Sequence, residues 1–346
     1  MDILEQLPIP LLMWYRENAR VLPWRSRPTP YGVWVSEVML QQTRVAAVLD
    51  YYRRFMEALP TVSALAEAEE DALMKLWQGL GYYSRARNLQ KAARLIVERW
   101  GGSFPAAYED IRALPGVGDY TAGAIASIAF GQCVPAVDGN VLRVAARLTG
   151  DEGDIAAPAV KRRVTQALAR VIPADAPGDF NQALMELGAT VCLPNGAPLC
   201  ARCPVRELCR AHLTDRTACL PVKAPKKERR VEERTVFLIF RRGRVALRRR
   251  PGRGLLAGLW EYPNERSPAS GALEEWGVRG ENLRPAGTGR HIFTHIEWRL
   301  TGLAADAAAE ELPPGWVWAG REELLREYAV PNAFQAFQGR VMEELE

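Results

Sequence analysis

The chain has 346 residues, of which 48% are hydrophobic and 25% charged, and its formal net charge is +4. This composition is ordinary for a folded globular protein, the length favours two domains, and the charge alone does not imply a nucleic-acid partner. No apolar run approaches the roughly 20 residues that a membrane-spanning helix requires, so we expect no membrane partner. The N-terminal residues lack a basic stretch followed by an apolar one, so no export signal is predicted and a cytoplasmic location is expected.

Residues 1–219 are predicted to form an almost entirely helical first domain. Apolar residues recur there at helical spacing, and proline and glycine separate the segments. The predicted helices lie at 33–49, 70–80, 86–100, 121–131, 139–149, 158–172 and 180–191. Residues 220–234 (LPVKAPKKERRVEER) carry six basic residues, two prolines and no apolar periodicity, which predicts an exposed linker.

Residues 235–346 show a different pattern and are predicted to form a smaller α+β domain. Short runs typical of strands lie at 235–240, 245–247, 291–303 and 316–318, and helices are predicted at 321–328 and 333–345. Between positions 241 and 253 there are seven arginines and no acidic residue. For this arginine run, contact with a polyanion and simple solubility are alternative interpretations.

Four cysteines within a short segment are the candidate metal ligands. Their spacing is C-x7-C-x2-C-x5-C, and the chain does not resemble a secreted disulfide framework. Four thiolates on one loop can bind a single metal centre. We favour a [4Fe–4S] cluster; zinc is the alternative, although structural zinc sites usually have two C-x2-C pairs, and an absence of metal is the third. The set comprises Cys192, Cys200, Cys203 and Cys209.

A glycine-containing turn precedes the predicted helix at 121–131. Gly116 and Gly118 lie two residues apart in the sequence LPGVGDYT, which ends at Thr121. Such a turn can direct backbone N–H groups outward, and together with the following helix N-terminus it forms a phosphate-binding site. A plain loop between two helices is the alternative.

Five segments occur in a fixed order along the chain before the cysteine cluster, at 22–25, 30–43, 79–89, 114–124 and 135–141. Together with the cluster, these segments resemble the endonuclease III-like superfamily of helix-hairpin-helix DNA glycosylases, and most closely the adenine DNA glycosylase (MutY) family. The first cysteine gap has seven residues, where the family usually has six. The resemblance implies a helix-hairpin-helix fold, a [4Fe–4S] cluster, action as a monomer and, in a bacterium, association with the nucleoid. The implied substrate is double-stranded DNA with an A:8-oxoguanine or A:G mispair, from which adenine is removed to leave an abasic site.

Two carboxylates can supply the chemistry of base removal, which requires a protonated leaving group and a stabilised oxocarbenium ion. Glu37 lies in an apolar helical segment, where desolvation would raise its pKa and retain a proton near neutral pH. By family match it would protonate N7 of adenine. Asp138 lies in a Gly/Asn turn that is expected to favour its ionised form. The structural alternatives are an exposed helical glutamate for Glu37 and a helix N-cap for Asp138.

The resemblance assigns roles to further residues. Tyr120 occupies the position where strand-cleaving glycosylases carry a lysine that forms a Schiff base, so a monofunctional enzyme is expected. Tyr120 and Asn140 would support the transition state by hydrogen bonding. Alternative functions are a thymine-glycol or mismatch glycosylase and a non-catalytic Fe–S DNA-binding or redox-sensing module. Arg25 and Gln182 would read the flipped adenine, and Gln42 and Tyr82 would fill the base stack, with core packing as the alternative for Tyr82.

The second domain resembles the Nudix-like domain of the same family. Its markers are the segments at 254–263 and 291–298, whereas residues 272–277 lack the Arg-Glu pair of a working Nudix metal site, so pyrophosphate hydrolysis is not expected. The resemblance implies that Phe293, Thr294 and His295 recognise 8-oxoguanine opposite the adenine. The family usually has serine at the middle position. A half-buried strand is the alternative interpretation of this segment.

Overall fold

The computed structural model describes residues 3–225, 228–269 and 271–346. Lys226 and Lys227 of the predicted linker lie outside the described residues. The chain folds into two compact units, of which the first comprises Met1–Glu67 and Asn88–Pro225 and the second comprises Ala68–Arg87 and Lys226–Glu346. Residues 68–87, which the sequence analysis placed in the first domain, therefore belong to the second unit. No helix within the described residues has the length and apolar character that crossing a membrane would require.

The first unit is helical. The helix Ser84–Trp100 (α7) begins in the second unit. Short 3-10 turns lie at Ile3–Gln6, Cys200–Arg202 and Arg206–Leu208. The helices are α1 (Pro8–Asn18), α2 (Pro23–Ser26), α3 (Pro30–Leu40), α4 (Val45–Ala58), α5 (Val62–Glu67), α7 (Ser84–Trp100), α8 (Tyr108–Arg112), α9 (Asp119–Phe130), α10 (Gly139–Thr149), α11 (Pro158–Val171), α12 (Pro177–Thr190) and α13 (Arg210–Leu213).

The predicted helix at 33–49 is wrong as a single element. It is divided into α3 and α4 because Gln42 adopts a left-handed backbone conformation, with φ of 57°. An α-helix cannot continue through a residue in this conformation. The other six helices predicted for residues 1–219 are present, with ends that differ by a few residues.

Helix α9 lies in the centre of the first unit, where it packs against α3 and α12. Small residues permit this close packing. A Cβ atom on Gly123 of α9 would lie 2.4 Å from the main-chain oxygen of Pro135, so any side chain there would collide with the segment that leads to Asp138. Asn181 of α12 holds the same segment, because its Oδ1 accepts a hydrogen bond from the Ala136 N–H at 2.9 Å.

The second unit contains a seven-stranded sheet with the order β3-β2-β1-β6-β5, in which β4 pairs with β1 and β7 pairs with β2. Strands β1 and β6 are parallel, and β5 and β6 form an antiparallel hairpin. The strands are β1 (Arg230–Arg241), β2 (Arg244–Arg249), β3 (Trp260–Glu261), β4 (Asn264–Arg266), β5 (Gly280–Ile292), β6 (Ile296–Ala307) and β7 (Trp316–Ala319), and the helices are α6 (Glu70–Trp77), α14 (Ala272–Glu275), α15 (Arg321–Arg326) and α16 (Gln335–Glu344).

Both faces of the central strand β1 are covered, which explains its unbroken apolar run. Val236 and Leu238 point into one core cluster, whereas Phe237 and Ile239 point into a second cluster on the opposite face, as the alternation of side chains along a strand requires. Strand β1 begins at Arg230, inside the predicted linker 220–234, because residues 230–234 pair with residues 296–300 of β6.

The residues at 68–87 are held in the second unit by main-chain contacts. Lys75 of α6 donates to the carbonyl oxygens of Leu324 (2.7 Å) and Tyr328 (3.1 Å), and burial lowers its pKa to about 8. Gln78 donates to the carbonyl of Val330 at 2.7 Å. This segment therefore contributes a helix to the second unit, although it precedes the sheet by about 150 residues of sequence.

The arginine run at 241–253 is largely paired within the second unit. Arg248 and Arg250 both contact the buried carboxylate of Glu261, at 3.0 and 2.6 Å. The run also forms ion pairs from Arg241 and Arg244 to Glu310 and from Arg249 to Asp71. Five of its seven arginines thus have carboxylate partners, so most of the run serves the domain's own structure.

Candidate active site

Glu37 and Tyr120 form a buried hydrogen-bonded pair in the first unit. Glu37 lies in α3 with only 6% of its surface exposed, and the Tyr120 hydroxyl, from the first turn of α9, donates a hydrogen bond to Glu37 Oε2. Burial raises the pKa of Glu37 to about 7; the negative charge of Asp138 also raises it, whereas the Tyr120 hydrogen bond and Arg25 lower it. The geometry agrees with the expected buried acid and contradicts an exposed helical glutamate.

Asp138 caps the N-terminus of α10. Its Oδ1 accepts a hydrogen bond from the main-chain N–H of Val141 at 2.8 Å, and its Oδ2 accepts one from Asn140 Nδ2 at 2.7 Å. These bonds lower the pKa of Asp138, but burial has the larger effect and the net direction is upward. The hydrogen bonds of the turn thus favour the ionised form of Asp138, as expected, whereas burial opposes it.

Two buried arginines of α10 contact the cysteine loop, and one of them also connects it to Asp138 through Asn140. Arg143 donates through Nη2 to Asn140 Oδ1 at 2.9 Å and through Nε to the carbonyl of Cys192 at 2.8 Å. Arg147, one turn later on α10, donates to Cys192 Sγ at 3.2 Å. Neither residue was predicted from the sequence. The available signal was two arginines four residues apart in a helix whose other positions are mostly apolar.

The cysteine loop follows α12. The pKa of the Cys203 thiol is raised to about 12, mainly by burial and also by the other three thiols. These mutual effects indicate that the thiols lie near one another. Within the described part of the chain, however, no three histidine, cysteine or acidic side chains are arranged so that they could hold a metal ion. The four residues are Cys192, Cys200, Cys203 and Cys209.

A cavity of about 910 Å³ in the first unit brings most of the predicted catalytic and base-reading residues together. Helices α3, α9, α10 and α12 all contribute to its wall. The predicted residues that line it are Arg25, Glu37, Gln42, Tyr120, Asp138, Asn140 and Gln182.

Glu186 holds Arg25 at the wall of this cavity. The Glu186 side chain is fully buried and contacts Arg25 Nη2 at 2.9 Å and Arg20 Nε at 2.5 Å. The two arginines hold the pKa of Glu186 below its usual value, despite its burial. The sequence analysis missed Arg20 and Glu186, because their contact joins residues 166 positions apart.

Gly116 and Gly118 lie in the turn between α8 and α9, outside the lining of the cavity. Gly116 has a φ of +76°, and a Cβ atom there would lie 2.6 Å from the side chain of Asn88. Gly118 is the residue before the first turn of α9, with open space where a side chain would be. The backbone conformation at Gly116 therefore favours glycine, whereas the conformation at Gly118 does not require it.

Gln42 and Tyr82 share an unusual backbone conformation. Each has a positive φ, 57° for Gln42 and 46° for Tyr82, in the left-handed region that residues other than glycine rarely adopt. Such conformations cluster at functional sites. Tyr82 is also 47% exposed, which contradicts the alternative of core packing.

A second cavity, of about 590 Å³, lies in the second unit and is lined by Tyr82, Phe293, Thr294 and His295. Phe293, Thr294 and His295 form the turn between β5 and β6, so the prediction of one continuous strand at 291–303 is wrong and the half-buried strand is excluded. The Phe293 ring lies edge-on to Trp298, with ring centres 4.9 Å apart. The hydroxyl groups of Thr294 and Tyr82 lie 3.3 Å apart.

Comparisons with known proteins agree with this architecture. Residues 35–171 match the HhH-GPD superfamily of base excision DNA repair proteins, and residues 235–338 match the NUDIX domain. A thermostable thymine-DNA glycosylase is 26% identical to this chain, with a TM-score of 0.56 over 62% of this chain and 98% of its own. Endonuclease III in a non-covalent DNA complex is 25% identical, with a TM-score of 0.52 over 62% and 99% of the two chains.

The fold and the site thus define a helix-hairpin-helix base-excision repair glycosylase with a Nudix-like second domain. The adenine DNA glycosylase of Homo sapiens is 38% identical over an alignment of 402 positions, which covers 95% of this chain and 73% of the relative. The chain belongs to the adenine DNA glycosylase family. This result confirms the predicted family, the class of enzyme and the fold.

Proposed function

We propose that the protein removes adenine from double-stranded DNA in which the adenine is paired with 8-oxoguanine or guanine, and that it leaves an abasic site. The observation that carries this proposal is the hydrogen-bonded pair of Glu37 and Tyr120, which shares one cavity with Asp138. A buried acid with a pKa near 7 retains a proton at neutral pH, and a second carboxylate beside it can stabilise positive charge on the sugar.

In the proposed mechanism, the adenine leaves the base stack and enters the cavity of the first unit. Arg25 and Gln182 contact the base there, and Glu37 transfers its proton to N7, which makes adenine a better leaving group. Asp138 then stabilises the oxocarbenium ion. The hydrogen bond from Asn140 and the cap to Val141 hold the Asp138 carboxylate in place.

The same cavity supports a monofunctional reaction. Cleavage of the DNA strand by a glycosylase proceeds through an amine that forms a Schiff base with the sugar. Tyr120 lies where such a lysine would stand, and it cannot form that adduct. Water is therefore the proposed nucleophile, and the product is the free base with an intact DNA strand.

The strained residues and the second cavity fit recognition of a mispair. Gln42 and Tyr82 are proposed to fill the gap that a flipped base leaves in the stack. Their left-handed backbone conformations support this role, because such a conformation directs the side chain away from regular secondary structure. Phe293, Thr294 and His295 are proposed to read 8-oxoguanine. The contact of Thr294 with Tyr82 supports this proposal, because it joins the reading turn to a stack-filling residue.

The four cysteines are proposed to hold a [4Fe–4S] cluster that stabilises the loop. The mutual effects of the four thiols on the pKa of Cys203 support this proposal, because they indicate that the thiols lie near one another, and four thiolates could bind such a cluster. The residues proposed to bind the cluster are Cys192, Cys200, Cys203 and Cys209.

Single-turnover excision tests the proposed function. Duplexes containing A:8-oxoguanine, A:G and thymine glycol are compared with wild-type protein, Glu37→Gln and the control Glu57→Gln, which changes an exposed glutamate of α4. We expect adenine release from the first two duplexes, and a loss of roughly 10²-fold or more in Glu37→Gln with binding retained. Release of thymine glycol without adenine would support the alternative glycosylase, and near-normal excision by Glu37→Gln would remove this residue from the mechanism.

A further inference from the structure

The Tyr120 hydroxyl has one proton and two hydrogen-bond acceptors. One acceptor is Glu37 Oε2, and the other is Met185 Sδ of α12, at 3.3 Å from the hydroxyl oxygen. Burial raises the pKa of Tyr120 well above its usual value, so the hydroxyl keeps its proton throughout the pH range of interest. That single proton can point fully toward only one of the two acceptors at a time.

The preferred acceptor depends on the protonation state of Glu37. An ionised Glu37 is a strong acceptor, and the Tyr120 proton points toward it. A protonated Glu37 carries an O–H group of its own, which needs an acceptor, and Tyr120 Oη is within hydrogen-bond distance. For Tyr120 to accept this bond, its own proton must turn away from Glu37.

Met185 lies where that proton can turn. A thioether sulfur carries no hydrogen, so it can only accept a hydrogen bond, and it accepts weakly. It therefore competes poorly with an ionised carboxylate but can satisfy the hydroxyl when the carboxylate is neutral. Met185 also lines the cavity that contains Glu37 and Asp138.

We propose that Met185 is a positioning residue for the excision reaction. It accepts the hydrogen bond of the Tyr120 hydroxyl while Glu37 holds the proton that it will transfer to adenine. This inference rests on the proposed role of Glu37 as the general acid. Its consequence is that Met185 favours the protonated form of Glu37 through Tyr120. Glu37 would thereby stay protonated at a higher pH than it would if Tyr120 had no second acceptor.

The other groups that face Glu37 are unchanged by a substitution at Met185. Arg25 of α2 and Asp138 at the start of α10 act on Glu37 through their charges, in opposite directions. Glu186, the next residue after Met185, is already paired with Arg20 and Arg25. A shift in the titration of Glu37 on substitution of Met185 can therefore be assigned to the second hydrogen bond of Tyr120, provided that the shape of the side chain is preserved.

The test is the pH profile of single-turnover adenine excision from an A:8-oxoguanine duplex. Met185→Leu keeps an apolar side chain of similar volume and removes the acceptor, whereas Met185→Gln supplies a stronger one. We expect the falling limb of the profile to move to lower pH by about half a unit in Met185→Leu, as the loss of one weak hydrogen bond would produce. In Met185→Gln we expect the falling limb to lie at the same pH as in wild-type protein or at a higher pH.

A double variant separates this effect from a general disturbance of the cavity. In a Tyr120→Phe background there is no hydroxyl proton to direct, so Met185→Leu should leave the position of the limb unchanged. If the falling limb lies at the same pH in wild-type protein, Met185→Leu and Met185→Gln, the inference is overturned and the proposed function is left intact. Should Met185→Leu fail to fold, a limb in Met185→Gln at lower pH than in wild type would overturn it equally. If wild-type protein releases no adenine, the proposed function itself fails.

Discussion

Arg143 joins Asn140 to the cysteine loop, since its Nη2 lies 2.9 Å from Asn140 Oδ1 while its Nε donates to the Cys192 carbonyl at 2.8 Å. Asn140 in turn donates to Asp138 Oδ2 at 2.7 Å. The position of the Asp138 carboxylate thus depends on the backbone of Cys192, through two side chains that are held by hydrogen bonds at both ends.

Replacement of Arg143 by lysine is expected to lower adenine excision by about tenfold or more. A lysine cannot make the forked set of bonds that the guanidinium makes to Asn140 and Cys192, and lost hydrogen bonds to charged groups cost about 1.5–3 kcal/mol. Single-turnover excision and bound iron should be measured on the same preparations.

Arg147→Lys is the matched control. Arg147 donates to Cys192 Sγ and to the carbonyl of Leu193, but it has no contact with Asn140 among its hydrogen bonds. Both variants should loosen the cysteine loop, and only Arg143→Lys should disturb Asp138 directly. If the two variants lose excision in the same proportion to their loss of iron, the contact with Asn140 has no separate effect.

Gly188→Ala is expected to disturb the same group of residues from α12. A Cβ atom on Gly188 would lie 2.6 Å from Asn140 Cβ and 3.3 Å from its main-chain atoms, so the start of α10 would have to move. Overpacking of this kind typically costs about 1–3 kcal/mol of stability. Thermal unfolding should show this loss, together with slower excision. Gly339→Ala, in α16 with open space at the added Cβ, should instead gain up to about 1 kcal/mol.

The raised pKa of Glu37 predicts a cost in stability that depends on pH. Because its pKa is about 7 in the folded protein and 4.5 ordinarily, the folded state holds the proton more tightly than the unfolded state does. The contribution of Glu37 to the free energy of unfolding is fully present below about pH 4.5. It is lost as the pH rises to about 7, and the total loss is about 3 kcal/mol.

Glu37→Gln removes this titration and keeps the shape of the side chain. In denaturant unfolding, the variant should therefore exceed wild-type protein in free energy of unfolding by more at pH 8 than at pH 5. The ionisable groups that do not interact with Glu37 contribute equally in both proteins and cancel in the comparison. An equal difference at the two pH values would contradict a raised pKa for Glu37.

Local sequence was sufficient to predict the candidate catalytic residues that the structure brings together in one cavity. Glu37, Tyr120 and Asp138 each lie in a short motif, and the burial of Glu37 follows from the apolar residues around it. Glu186 and Arg143 could not be predicted in this way. Their roles depend on contacts with residues 166 and 49 positions away, and no local pattern records such contacts.

The second unit shows the same limit at the scale of whole elements. The apolar pattern of β1 predicted a strand, but its start at Arg230 depends on parallel pairing with Ile296 and the residues that follow it. Likewise, the helical periodicity at 70–80 predicted α6 without indicating that Lys75 and Gln78 would contact α15 and the residues after it. Element type followed from periodicity, whereas partners followed from the tertiary fold.

Metal analysis of the purified protein tests the assignment of the cysteine loop. Protein prepared without exposure to oxygen should be brown, with broad absorption near about 400 nm and about four irons per chain. A colourless protein with stoichiometric zinc would establish the alternative. As a control, Cys219→Ser changes an exposed cysteine outside the set and should leave the iron content unchanged.

The last prediction concerns the reading of 8-oxoguanine. Phe293→Ala combined with His295→Ala should reduce the preference for A:8-oxoguanine over A:G without changing Glu37 or Asp138. Lost recognition contacts typically cost about 1–3 kcal/mol per base pair, or some 5- to 150-fold in preference. The two excision rates should be compared at one salt concentration, since phosphate contacts depend on salt.

Substitution is a cleaner experiment than removal of the second domain. A cut near Lys226, which lies outside the described residues, should leave adenine excision active and reduce lesion preference. It would also deprive Tyr82 of Thr294 and Gln78 of Val330, because residues 68–87 belong to the second unit. The substituted protein keeps these contacts, and Leu283→Ala, an exposed position outside the cavity, is its control. An unchanged ratio of the two rates in the substituted protein would show that Phe293 and His295 do not read the lesion.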